Sequence, residues 1–156
     1  MDQDFFSGLG NVKQLMLQWS DFDLQSNGFI GLDKAELIGL EGSDIGIVYE
    51  NAFVGLPELT TLDLTNTRVK EYRLGCFNGT NIQNLTVEIT YKDGNIDPKL
   101  FDSMPSLKKL TISRYSSDLT GAQPKINMTN VYEIVRRYPD VKVEVYDRDN
   151  KTMQLN

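Results

Sequence analysis

A short apolar pattern recurs along the chain. One copy consists of Leu56, Leu59, Leu62 and Leu64, with spacings of 3, 3 and 2 residues. The same spacing occurs in Leu9, Val12, Leu15 and Leu17; Leu32, Ala35, Ile38 and Leu40; Gly79, Ile82, Leu85 and Val87; Met104, Leu107, Leu110 and Ile112; and Val135, Tyr138, Val141 and Val143. Because only Gly79 in these quartets is not apolar, the pattern indicates an internal repeat.

A second column of large side chains accompanies the quartets, three residues before each one. It consists of Phe6, Phe29, Phe53, Cys76 (beside Phe77), Phe101 and Tyr132. The first positions of successive quartets lie 23, 24, 23, 25 and 31 residues apart. Packing between stacked coils requires such regular intervals, so the column is predicted to fill a core and to bind no ligand.

These repeats predict a solenoid, because one unit cannot bury its apolar face alone whereas stacked units bury a continuous core. Leu62 and Leu64 alternate with Asp63, which predicts a short strand with the leucines pointing inward and Asp63 outward. The predicted fold is α/β. It has a curved parallel sheet of about six short strands on the concave face, with loops and a short helix on the convex face.

The pattern resembles the extracellular, roughly 24-residue type of leucine-rich repeat, as in Toll-like receptors and related animal cell-surface ectodomains. The quartets, the aromatic column and blocks such as Phe53-Val54-Gly55-Leu56 carry the resemblance, from about Phe5 to about Asp147. It implies one leucine-rich-repeat domain over residues 1–156, with about six repeats. Extracellular members often have cysteine-rich caps, which this sequence lacks, so we expect a fragment of a longer ectodomain or ends covered by other subunits.

Two departures from the family pattern carry structural expectations. The family's asparagine after the last strand leucine is replaced, in successive units, by Ser20, Ser43, Thr67, Thr90, Tyr115 and Tyr146. Serine and threonine hydroxyls both donate and accept, so they are expected to satisfy part of the loop backbone. The fourth unit is one residue short between Phe77 and Ile82, which predicts a local kink.

The longest interval predicts a helix before the last strand. Asn130 and Glu133 are spaced as in a capping box, with Thr129 as an alternative cap. Helical spacing of the apolar residues that follow predicts a helix over about Val131–Tyr138, and Pro139 ends it.

Composition narrows the possible functions of this chain of 156 residues, which fits one domain. Its 16 Lys and Arg against 22 Asp and Glu give a net charge of −6, which disfavours nucleic-acid binding. The sequence contains no histidine, which excludes histidine triads, ligands and pH switches. Cys76, the single cysteine, is predicted to be a small buried residue. No apolar run approaches the ~18 residues of a membrane helix, and the acidic start lacks a signal-peptide layout.

The sequence predicts neither an enzyme nor a cofactor. It contains no phosphate-binding glycine-rich loop and no Gly-x-Ser-x-Gly elbow, and its carboxylates form no acid–base pattern. Asp147, Asp149 and Asn150 resemble the start of a calcium loop. Because Thr152 stands where that loop needs its turn glycine, we expect no metal site there.

Four Asn-X-Thr sequons predict N-glycosylation, at Asn78, Asn84, Asn127 and Asn150. Glycosylation would agree with the extracellular repeat type, although an incidental origin of the sequons stays open. Asn84 should project from the concave face, whereas Asn127 and Asn150 fall in connecting segments. A sugar is expected first at Asn127 and then at Asn78.

The outward strand residues predict a polar concave face that binds protein partners. Its candidate contact residues are Met16, Gln18, Leu37, Glu41, Thr61, Asp63, Thr65, Glu88 and Lys109. Met16 and Leu37, with Trp19 nearby, would form an apolar corner at the N-terminal end.

The predicted function is that of a non-catalytic extracellular or cell-surface module for recognition or adhesion. Its partner would be a protein ligand, another subunit or a second copy of the chain. Three alternatives stay open: a solvated face without a partner, a structural spacer in an extracellular assembly, and a cytosolic leucine-rich-repeat scaffold. Fold analogy alone leads from the sheet face to recognition.

Overall fold

The computed structural model describes residues 5–89, 95–114, 126–146 and 152–155. Within them, a long sheet follows the repeat from unit to unit. Its parallel strands, in order across the sheet, are β1 (Gln14–Met16), β3 (Leu37–Gly39), β5 (Thr61–Asp63), β7 (Asn84–Ile89), β8 (Lys109–Arg114) and β9 (Lys142–Tyr146). Strand β10 (Thr152–Gln154) pairs antiparallel with β9. The described chain is therefore a solenoid built on a parallel sheet, with little helix.

A second parallel sheet accompanies the first three units. It consists of β2 (Asp21–Leu24), β4 (Asp44–Val48) and β6 (Arg68–Tyr72), in that order. The prediction of loops in these segments is wrong. Leu24, Ile45, Val48 and Val69 turn into the core here, while the main chain of each segment pairs with the next coil.

The quartets set the register of the long sheet as far as β8. At β9, Val143, the fourth position of its quartet, pairs with Leu110, where the quartet pattern predicts Val141. One inward row contains Leu15, Ile38, Leu62, Leu85, Leu110 and Val143, and each is paired with the next. From Ile38 onward these side chains are at most 1% exposed. The first unit differs: Leu15 is half-buried, and Leu9, predicted to be inward, is 40% exposed. Among the described residues, only one neighbouring coil covers this unit.

A stack of phenylalanine rings runs through the core. Its members are Phe6, Phe29, Phe53, Phe77 and Phe101, with successive ring centroids 5.5, 5.6, 5.7 and 6.5 Å apart. Each is at most 2% exposed, which confirms the predicted aromatic column. The fourth place belongs to Phe77 rather than Cys76, and the cysteine is buried beside it.

The shortened fourth unit absorbs its missing residue in a turn. Thr80, not Gly79, takes the buried place of the first quartet position, and its hydroxyl donates to the Phe77 carbonyl at 2.8 Å. Gly79 is exposed and has φ 67°, a conformation that suits glycine. Ile82 therefore remains fully buried.

Buried hydroxyls link successive coils where the family uses asparagine. The Thr67 hydroxyl donates to the Leu40 carbonyl at 2.7 Å, and the Ser43 hydroxyl donates to the Leu17 carbonyl at 3.4 Å. Both side chains are at most 1% exposed, so they satisfy loop backbone as expected. In the same column, Thr90 and Tyr115 lie outside the described residues.

The helix α1 (Met128–Arg137) begins earlier than the sequence predicts. Asn127 caps it, because its side-chain oxygen accepts from the Thr129 N–H at 3.0 Å. The predicted caps, Asn130 and Thr129, are wrong, and the Asn130 amide donates instead to the Ile96 carbonyl at 3.1 Å. Among the described residues, no helix has both the length and the apolar character needed to cross a membrane.

The last place of the aromatic column belongs to Tyr138 rather than to the predicted Tyr132, because both lie on or next to a helix. Val131 and Ile134 face the core, which leaves Tyr132 outward and 57% exposed, contrary to prediction. Tyr138 contacts Phe101 instead, edge to face, with ring centroids 6.3 Å apart. The helix is thereby joined to the 3-10 helix Pro98–Phe101, which ends in the stacked ring.

The inward and outward assignment can be tested at neighbouring positions. Leu62→Ala should lower the free energy of unfolding by about 2–5 kcal/mol, because Leu62 is fully buried. Asp63→Ala should cost less, about 1–2 kcal/mol, since half-buried Asp63 accepts hydrogen bonds from the Thr65 N–H at 2.9 Å and from the Thr65 hydroxyl at 2.5 Å. Urea unfolding measures both values, and a larger loss for Asp63→Ala would reverse the assignment.

Candidate partner-binding face

The outward side chains of the long sheet form one face, which we call the long-sheet face. Of the predicted contact residues, Met16, Gln18 and Glu41 are exposed, and Leu37, Thr61, Asp63, Thr65 and Lys109 are half-buried. Asn84 is exposed on the same face. Strand pairing places Gln14, Leu37, Thr61, Asn84, Lys109 and Lys142 in one row. The structure thus brings most of the predicted residues together.

At the N-terminal end of the face, Met16 lies across Gly39. A Cβ at Gly39 would stand 2.5 Å from the Met16 Cε, so a side chain at Gly39 would displace the methionine. Met16 itself is 51% exposed. Beside it, the Gln18 amide donates to the Glu41 carboxylate at 3.4 Å. This end of the face therefore combines exposed apolar surface with a carboxylate.

Glu88 is buried and does not belong to the exposed face, contrary to its predicted outward position. It is only 3% exposed, and one carboxylate oxygen accepts from the Asn66 N–H at 2.7 Å and from the Ser113 hydroxyl at 3.0 Å. The side chain is drawn in because Asn66 and Ser113 offer donors from the two neighbouring coils. Burial raises the pKa of Glu88 above its ordinary value of 4.5.

The C-terminal end of the face is held by ion pairs. Glu144 lies 2.8 Å from the ammonium nitrogen of Lys109 and 2.8 Å from that of Lys142. The Tyr146 hydroxyl donates to the same carboxylate at 3.2 Å. Hydrogen bonds from the two lysines lower the pKa of Glu144 to about 2. Each of these charged groups has a partner within the chain, and two lysines against one carboxylate leave one positive charge in excess at this end.

The sequons occupy different environments. Asn84 is exposed on β7, with no side-chain hydrogen bond within the described part of the chain. The Asn127 amide donates to Asn95 Oδ1 at 2.7 Å, and its oxygen caps α1. The Asn78 amide donates to Asn51 Oδ1 at 3.1 Å. Asn150 lies outside the described residues, as does the segment around Asp147 that resembles a calcium loop.

A cavity of about 250 Å³ lies beside the last strand of the short sheet. Tyr72 of β6, Glu88 of β7 and Asp97 are among its lining residues. One side-chain oxygen in each of Tyr72 and Glu88 is buried and has no hydrogen-bond partner in the described structure. The sequence pattern did not predict this cavity, because it forms where the short sheet ends and the long sheet continues.

Cys76 is a structural residue. Its thiol is buried beside the phenylalanine stack, and burial raises its pKa to about 12. The protonated thiol is a weak nucleophile at neutral pH. Within residues 5–89, 95–114, 126–146 and 152–155, no group of three cysteine, aspartate or glutamate side chains could hold a metal ion.

Comparison with known proteins adds no further assignment. A scan against protein-family models and a search of the curated proteins both gave no match. A role proposed for the long-sheet face therefore rests on its geometry and chemistry alone.

Mild acid should stabilise the fold through Glu88. Because its pKa is raised in the folded state, its contribution is complete below about 4.5 and is lost as the pH rises through the raised pKa. We therefore expect Glu88→Gln to be more stable than the wild type at pH 7, with a difference that shrinks toward pH 5. Urea unfolding at both pH values measures this difference.

Glu144→Gln provides the opposite control. The lowered pKa of Glu144, about 2, gives stability that is present above about 4.5 and lost as the pH falls toward 2. This variant should therefore be less stable than the wild type at pH 7 and approach it in strong acid. A Glu88→Gln difference that does not change with pH would contradict the assigned cause.

Proposed function

We propose that this chain is a non-catalytic recognition or adhesion module that acts outside the cell and binds protein partners through the long-sheet face. The observation that supports this role is a row of adjacent, accessible side chains from Gln14 to Lys142 on paired strands. Solenoids commonly use such extended sheet surfaces for recognition, since side chains from many repeats contact one partner together.

The proposal includes membership of the leucine-rich-repeat class, with a likeness to Toll-like receptor ectodomains. The buried leucine rows, the phenylalanine stack and the hydroxyl links between coils support it. In this view, residues 1–156 form one domain of about six repeats within a longer ectodomain. The candidate partners are then a separate protein ligand, another subunit or a second copy of the chain.

A structural spacer is the second candidate function. It is favoured by the C-terminal end of the face, where Glu144 is paired with two lysines and Tyr146 donates to it. Charged side chains that are already paired within the chain gain little from a partner. The two roles differ in their response to a substitution on the long-sheet face.

The binding role predicts that a bulky charge at the N-terminal end of the face abolishes partner capture. Gln18→Arg changes an exposed residue of the face, and Gln25→Arg makes the same change in the exposed turn after β2. Beads carrying each variant are incubated with extract from the native source, and captured proteins are quantified by mass spectrometry. Gln18→Arg should lose proteins that the wild type and Gln25→Arg retain, at an unchanged Tm. Equal capture by all three would favour the spacer.

The extracellular role predicts sugar on Asn84 when the chain is produced in a secretory host. The side chain of Asn84 is exposed and makes no hydrogen bond among the described residues. The side-chain amides of Asn127 and Asn78 donate hydrogen bonds to other asparagines, and a glycan on either nitrogen would compete with that bond. In contrast to the order expected from the sequence, occupancy should thus be highest at Asn84 and lowest at Asn78, where the sequon hydroxyl of Thr80 is also buried.

Glycopeptide mass spectrometry of wild type and Asn84→Gln measures the occupancy. Occupied Asn78 together with bare Asn84 would contradict this order, and native material without sugar at any sequon would contradict the secreted role. A glycan on Asn84 stands beside Thr61 in the strand register. Partners would then contact the N-terminal end of the face.

A further inference from the structure

Each of the first three units turns sharply after its long-sheet strand, and the turn contains a left-handed residue. These residues are Trp19 with φ 54°, Gly42 with φ 74° and Asn66 with φ 53°. Glycine and asparagine adopt this conformation readily, whereas a bulky side chain disfavours it. Among the described residues, every other non-glycine residue with positive φ is an asparagine. Trp19 is therefore the exception in its own structural column.

Burial does not account for this exception. Trp19 is 82% exposed, and its indole lies flat against Gly42, where an added Cβ would stand 3.0 Å from the ring atom Cε3. The ring thus rests on a bare stretch of backbone and presents most of its surface to solvent. A strained residue that contributes little to the core points to a function.

Two exposed acidic residues lie next to the turn. The Trp19 N–H donates to the Glu41 carbonyl at 3.3 Å, which places the exposed Glu41 side chain beside this turn. Asp21 is exposed at the start of β2, two residues after the tryptophan. Within the described structure, neither carboxylate forms an ion pair. Met16, 51% exposed, adds apolar surface on the adjoining strand.

We propose that Trp19 anchors a basic segment of a partner protein. An arginine or lysine of that segment lies on the exposed indole as a cation–π contact, with Glu41 and Asp21 balancing its charge. An apolar neighbour in the segment packs on Met16. Exposed tryptophans are frequent hot spots of protein interfaces, and a chain with a net charge of −6 attracts basic partners.

This inference rests on the proposed recognition role and names the chemistry of its partner. The turn sequence fits this role: Gly42 provides the flat surface under the ring, and the ring is displayed to solvent, 82% exposed.

The first test uses Trp19 as its own reporter, because it is the single tryptophan of the chain. The probe is a blocked tetrapeptide of alternating arginine and leucine, and the matched control peptide has glutamate in place of arginine. The arginine peptide should change the tryptophan emission, and the change should saturate with peptide concentration. Added salt should weaken binding of the peptide, because it screens the charges. An equal response to the glutamate peptide, or a response to neutral oligosaccharide in place of the arginine peptide, would overturn the proposal.

The second test separates binding from stability. Trp19→Asn should weaken binding of the fluorescently labelled arginine peptide by about tenfold or more, in the range typical of hot-spot residues. The same substitution should raise the Tm, because asparagine is favoured at this φ. Glu41→Gln should weaken binding by a smaller factor. Tyr132→Ala and Glu133→Gln change exposed residues on α1 and should bind as the wild type does.

The outcomes distinguish this inference from the broader role. A lower Tm for Trp19→Asn would show that the tryptophan is structural, and unchanged peptide affinity would show that it is not the anchor. If Gln18→Arg loses the native partners while Trp19→Asn keeps them, recognition by the face stands and the basic-segment anchor is wrong. If neither variant loses them, both proposals fail.

Discussion

The constraint on which this structure depends is that no coil can bury its own core. Each of the first five units contributes one phenylalanine and a few aliphatic side chains, and these are covered only when the neighbouring coils stack in register. The nearly equal spacing of the ring centroids, 5.5 to 6.5 Å, is the result. Stability is thus a sum over interfaces between neighbours, and one misplaced coil weakens two interfaces at once.

Stacking also determines what the turns and polar side chains do. A turn at a coil edge must offer its N–H and C=O groups to the next coil, because the core side is mostly apolar. Thr67, Ser43 and Glu88 meet this demand with side chains that reach across to adjacent units. Residues that alternation alone would place in solvent are therefore recruited into the structure, and the accessible face is smaller than the strand pattern suggests.

The amino-acid sequence predicts the parts of this fold that repeat. The leucine rows, the aromatic column and the hydroxyl links follow from spacing, because identical coils place identical positions in one column. The repeat pattern does not predict the short sheet. Only three units contribute a strand to it, and these strands mix apolar with charged residues, as in Asp21–Leu24. The predicted start of the helix, Val131, is three residues late, because Asn130 and Glu133 have the spacing of a capping box. In the fold the Asn130 amide donates to the Ile96 carbonyl instead, and Asn127 caps the helix. Strand periodicity predicts an outward Glu88, because it carries no information about the hydrogen-bond donors of neighbouring coils that hold this carboxylate inside.

Strand β10 has a consequence for how copies of this chain could assemble. It runs antiparallel along β9, so it occupies the edge on which another parallel strand would add. A second copy therefore cannot extend the long sheet there by placing its own β1 against β9. Head-to-tail addition of this kind is what generates open fibres, whereas contacts between like edges close after two subunits. The reversed strand thus blocks open-ended polymerisation through the paired edge of β9.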